Sequence, residues 1–95
     1  MSSGHDAVAT AIIQGQMRMI GDVALNLANK VPSLTVQPDG TASIGGDAVG
    51  AIEALVREYS SLTGQLGVRM CYTSAKPALD ANPSVSIPSF AAFAA

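Results

Sequence analysis

The chain has 95 residues, enough for one domain and too few to bury a large core. Only 13% of its residues are charged and 48% are hydrophobic, with a formal net charge of −2, so little repulsion keeps copies apart. The five basic residues are scattered and build no patch, which argues against nucleic acid as a partner.

Cys71 is the only cysteine and His5 the only histidine, and they stand near opposite ends. No disulfide within the chain and no zinc site is expected from them. A lone thiol fits a reducing compartment, and the N-terminus lacks the basic flank of a signal peptide. The expected location is the cytoplasm. The longest apolar stretch, residues 11–31, is interrupted by Gln14, Gln16, Arg18, Asp22, Asn26 and Asn29. It is not expected to span a membrane.

The first predicted element is a helix capped by Asp6 and running to Asn29 or Lys30, where Pro32 ends it. Ile13, Met17, Ile20, Ala24, Leu27 and Val31 form an apolar seam on it, and Ile12, Met19, Val23 and Leu25 widen that seam. A helix so broadly apolar needs contact on more than one side. Gly15 and Gly21 each cost about 1 kcal/mol relative to alanine inside a helix. Close approach of a neighbouring helix is the expected reason for both.

Leu34 and Val36 alternate with polar residues, Pro38-Asp39-Gly40 is a turn signal, and Ala42 and Ile44 resume the alternation. This predicts a short β-hairpin, which must pack on the helices or pair with another chain. Asp47 is the expected N-cap of a second long helix. Its seam is Val49, Ile52, Leu55 or Val56, Tyr59, Leu62 and Leu66, with Glu53 and Arg57 spaced for an ion pair. Gly64 and Gly67 leave the end of this helix open: it stops near Thr63 or, as the period through Leu66, Met70 and Thr73 favours, continues to about Ser74. Prolines at 77, 83 and 88 then predict an extended tail, anchored by Val85, Ile87, Phe90 and Phe93 and suited to docking on a neighbour.

The expected architecture is mainly α. A helix–β-hairpin–helix assembly domain spans residues 1–76, an extended proline-containing tail spans 77–95, and the whole is an obligate oligomer. The expected self-assembly interface is Ile13, Met17, Ile20, Gly21, Ala24, Leu27, Ile52, Val56, Tyr59, Leu62 and Leu66. Chemistry is sparse. Cys71 reads as a small core residue, Glu53 and Glu58 face different sides of their helix, and Gly45-Gly46-Asp47 lacks the remainder of a phosphate loop. Neither catalysis nor a cofactor or metal is expected.

The run Gln14-Gly-Gln-Met-Arg-Met-Ile-Gly-Asp22 resembles the opening motif of the R-body (refractile-body) structural subunits. Gln14, Met17, Arg18, Met19, Ile20, Gly21 and Asp22 occupy its places, and Val23 to Ala28 stands for the apolar stretch beyond it. Gly67, Val68 and Tyr72 match a second, weaker element. The resemblance covers about half of the chain. It implies a cytoplasmic subunit that polymerises into ribbons, with copies of itself or a related subunit as partners, and an extension on acidification. Asp22, Glu53 and Glu58 would be the pH-sensitive groups, paired with arginines when ionised. The alternative is a small homodimeric helical interaction module whose tail grasps a partner.

Overall fold

The computed structural model describes residues 4–91 and residue 93. It is mainly helical. In chain order it contains α1 (Gly4–Ile20), α2 (Val23–Ala28), β1 (Leu34–Val36), β2 (Ala42–Ile44), α3 (Ala48–Thr63) and α4 (Gln65–Ala81), and then a short 3-10 turn at Pro88–Phe90.

Helix α1 is the centre, and its breadth of apolar surface reflects that position. One face meets the hairpin. Gln14 donates to the Asp39 carbonyl at 3.2 Å, and a Cβ on Gly40 would fall 2.7 Å from Met17 Sδ. Another face meets α4 in antiparallel order. Gly4 lies against Asn82 and Gly15 against Ser74, while Gln16 donates to Cys71 Sγ at 3.6 Å. Val8, Ala9, Ile12 and Ile13 fill the interior together with Ile52, Leu55, Val56 and Tyr59 of α3.

The expected single first helix is two helices. Gly21 adopts φ +64, and its carbonyl accepts from Ala24 N–H at 3.0 Å to start α2 in a new direction. Nothing lies within 4 Å of where a Cβ on Gly21 would sit. Gly21 is therefore needed for its backbone angle and not for close packing. Gly15 is the close approach: a Cβ there would overlap Ser74 Oγ and lie 2.5 Å from Ser74 Cβ. Gly15→Ala is therefore expected to destabilise the fold by about 1–3 kcal/mol, despite alanine's helix preference, and Ser74→Gly in the same chain should return much of the loss. Urea midpoints of the wild-type chain and the two variants measure this.

Asp6 lies inside the first turn of α1 and is not its N-cap. Its carboxylate accepts from Ile44 N–H at 3.0 Å. Thr10 Oγ1, one turn on, accepts from Ala42 N–H at 2.9 Å. Together they close the outer edge of β2.

The hairpin forms as expected, with Leu34 opposite Ile44, Thr35 opposite Ser43 and Val36 opposite Ala42. Gly40 takes φ +91, and Asp39 Oδ1 accepts from Thr41 N–H at 2.9 Å. Gln37 N–H donates to Thr41 O and Gly45 N–H to Ser33 O. The main-chain groups of Leu34 and Val36 therefore point away from β2. Leu34 N–H is taken by the Val31 carbonyl at 3.1 Å. At the far end of that edge Val36, with Gln37 and Pro38, lines a groove of about 460 Å³ shared with Leu25, Asn26 and Asn29 of the α2 segment.

Asp47 caps α3 as expected, accepting from Gly50 N–H at 3.1 Å. The expected continuation to Ser74 is interrupted at Gly64, whose φ 68 and ψ −148 no L residue adopts easily. Gly64 is the single residue between α3 and α4 and makes a sharp corner.

Helix α4 then runs through Pro77 to Ala81, so the expected tail boundary at residue 77 falls inside a helix. Pro77 is tolerated because it stands on the solvent side, where the carbonyl it leaves without an N–H partner can bind water. The buried side of α4 is carried by Gly67, Cys71 and Ala75. Asn82 and Pro83 end the helix.

The segment beyond α4 is folded back on the body and is not an unattached tail. Val85, Ile87 and Phe90 are buried in the chain's own core, and Ser89 N–H donates to Glu53 Oε2 at 3.2 Å. Tyr72 meets Phe90 edge-on at 5.5 Å and stacks on Phe93 at 5.6 Å.

Candidate self-association surface

The residues expected at an interface between copies separate into three groups. Ile13, Ala24, Ile52, Val56 and Tyr59 are buried within one chain. They hold the monomer together and are not available to a second copy of the folded chain. Met17, Ile20 and Leu27 are half-buried and pack against that same core. Gly21, Leu62 and Leu66 are exposed. Most of the seam expected to be covered by other copies is thereby covered within one chain. Two helix breaks and a folded-back tail supply the cover.

Four large apolar side chains remain exposed among the described residues: Met19 at 43%, Val23 at 45%, Leu62 at 55% and Leu66 at 63%. Met19 and Val23 are four residues apart and straddle Gly21; Leu62 and Leu66 are four apart and straddle Gly64. Both helix breaks lie at one end of the molecule. The antiparallel packing of α1 on α4 brings the end of α1 to the start of α4. Tyr59 Oη donates to the Ala24 carbonyl at 2.8 Å and ties the start of α2 to the last turns of α3. The four side chains thus stand at that end, beside the two glycines where the apolar period runs past the edge of the core. Their sequence signal is present, since all four sit on the expected seams or their flanks. Met19 and Val23 belong to the flanks and are not among the expected interface residues.

Charges of both signs border this end. Arg18 and Asp22 flank the first break, and Glu58 and Arg69 the second. Among the described residues the one ion pair is Lys76–Asp80 at 3.3 Å, so none of these four has an ion partner there. The expected Glu53–Arg57 pair is not formed; Glu53 holds Ser89 instead. Of the three residues expected to sense pH, Asp22 is exposed at the α1–α2 break, Glu58 is half-buried on α3 and Glu53 fastens the tail. The structure does not bring them together.

The buried polar centre has a structural role. Gln16, Cys71 and Tyr59 come from α1, α4 and α3 and are sealed from solvent. Burial pushes the Cys71 thiol up to about 12, with the Gln16 hydrogen bond partly opposing the shift. A thiol so placed carries almost no thiolate near neutral pH and is a poor nucleophile. Among the described residues, no group of three or more His, Cys, Asp or Glu is placed to hold a metal ion. No described helix is long and apolar enough to cross a membrane.

No protein-family model matches this sequence, no curated protein matches it, and no solved structure matches the chain.

Proposed function

We propose that this chain is a structural subunit that acts by binding copies of itself, with the end formed by the two helix breaks as the contact. The observation that carries this reading is the exposure of Met19, Val23, Leu62 and Leu66, two beside each helix break, on a chain whose other described large apolar residues are buried or half-buried. Exposed apolar patches of roughly a few hundred Å² on a small protein mark contact sites. Low charge density supports the same reading, because little repulsion opposes association. A buried, reduced thiol suits the cytoplasm as the place of action.

One symmetric contact makes a discrete dimer, which corresponds to the small interaction module. A ribbon of the R-body kind needs a second contact on the same copy. The open edge of β1 beside α2 is the observation that favours that extension, because exposed main-chain groups pair with another strand. The edge is short and bounded by Pro32 and Pro38, so it is the weaker of the two contacts.

Sedimentation velocity from micromolar to millimolar protein tests the proposal. The wild-type chain is expected to form dimers or larger species. Leu62→Glu with Leu66→Glu should abolish association while the far-ultraviolet circular dichroism stays unchanged. A wild-type chain that remains monomeric throughout that range would overturn the reading.

A further inference from the structure

We infer that a second copy docks on the α3–α4 corner across a two-fold axis passing near Gly64, with Leu62 against the partner's Leu66 and Glu58 paired with the partner's Arg69. The inference rests on the self-association reading and gives it a geometry.

The corner is its own complement. Outward from Gly64 along α3 stand first Leu62 and then Glu58, four residues apart and therefore on one face of that helix. Outward along α4 stand first Leu66 and then Arg69, three residues apart and likewise on one face. Each arm reads apolar and then charged, and the two charges are opposite. A two-fold axis lays one arm of a copy on the other arm of its partner. Each leucine then meets a leucine and each charge meets its opposite, twice over. A parallel or displaced arrangement would set Glu58 near the partner's Glu58 or leave both charges without a partner.

Three further observations fit this seating. Leu62 and Leu66 are the two most exposed large apolar residues among those described, at 55% and 63%. Neither Glu58 nor Arg69 has an ion partner among the described residues. Gly64, at the proposed axis, has nothing within 4 Å of where its Cβ would be, so the partner's backbone can come close there. Leucines scattered singly over a surface need no partner. Two at one corner, bordered by opposite unpaired charges at matching intervals, form a self-complementary pattern.

The test uses charge reversal on the full chain. Glu58→Arg alone sets arginine against the partner's Arg69, and Arg69→Glu alone sets glutamate against the partner's Glu58. Each single variant is expected to dimerise at least about tenfold more weakly than wild type. An equimolar mixture of the two should form a heterodimer, and the double variant E58R/R69E should regain wild-type affinity, because both restore the opposite pairs.

Dimerisation of the single variants at wild-type strength, or no heterodimer in the mixture, overturns the two-fold seating. If L62E/L66E is still monomeric in that case, self-association through this end stands without the proposed geometry. A wild-type chain that never associates removes the underlying reading itself. Oxidative cross-linking checks the register separately: L62C mixed with L66C should give the mixed 62–66 disulfide in preference to either homodimer. The buried Cys71 does not interfere under native conditions. Preferential 62–62 cross-links would overturn the register.

Discussion

Phe90→Ala is expected to destabilise the dilute monomer by about 3–5 kcal/mol, the range for removing a buried phenylalanine side chain. A chain of this length has a total stability on the order of 5–14 kcal/mol, so the loss is a large part of the whole. Phe90 is 2% exposed, lies edge-on to Tyr72 and sits one residue past the Ser89–Glu53 hydrogen bond. Its removal leaves a cavity between the tail and α3 and α4, and Val85 and Ile87 lose the anchor beyond them. Urea denaturation at low micromolar concentration measures the effect. If the tail served a neighbour and not its own chain, F90A would leave dilute stability unchanged and alter only association. A loss under about 1 kcal/mol would therefore count against the tail as part of the core.

Alkali is expected to unfold this protein through its interior. Cys71 is pushed from an ordinary 9.0 up to about 12, chiefly by burial. The Tyr59 hydroxyl is raised as well, first by burial and then by the neighbouring Cys71. A raised value means that the folded state keeps a proton the unfolded chain releases. The stabilisation is fully present below about pH 9 and is lost as the pH climbs from 9 toward 12, by up to about 1.4 kcal/mol per unit for one group. Tyr59 adds a second decline above about pH 10. Urea midpoints from pH 8 to 11 should fall for the wild-type chain, and Cys71→Ala should remove the earlier part of the fall. Parallel curves for the two proteins would show that the thiol titrates alike folded and unfolded.

The helix–hairpin–helix order is legible in the sequence because its signals are local. The alternation around Pro38-Asp39-Gly40, the Asp47 cap and the three-and-four spacing of the seams all depend on near neighbours. The break at Gly21 is not legible and the one at Gly64 is legible only as an alternative, since apolar period runs through both glycines undisturbed. A glycine inside a periodic run fits equally a helix that tolerates it and a backbone that needs positive φ. Pro77 misleads in the opposite sense. Its cost to a helix depends on whether the affected carbonyl faces water, and that depends on tertiary placement.

The width of the α1 seam does signal a demand for contact on several sides. The supplier of those contacts is the chain itself, and local pattern is silent on that, because the return of α4 and the tail across α1 is long-range. The same long-range folding sets Gln14 and Met17 of the R-body-like motif, both half-buried, against the hairpin turn. The exposed end is half legible: Leu62 and Leu66 stand among the expected interface residues, and Met19 and Val23 do not.

The seal that Asp6 and Thr10 place on one flank of the hairpin limits how copies can ever stack. A strand added by a neighbour has access only to β1, so two copies joined there make four strands with a blocked flank on either side. Growth like that of amyloid, strand upon strand, has nowhere to continue. A fibre that used the β1 edge would have to alternate that sheet contact with a helical one, and its repeat along the axis would be a pair of copies.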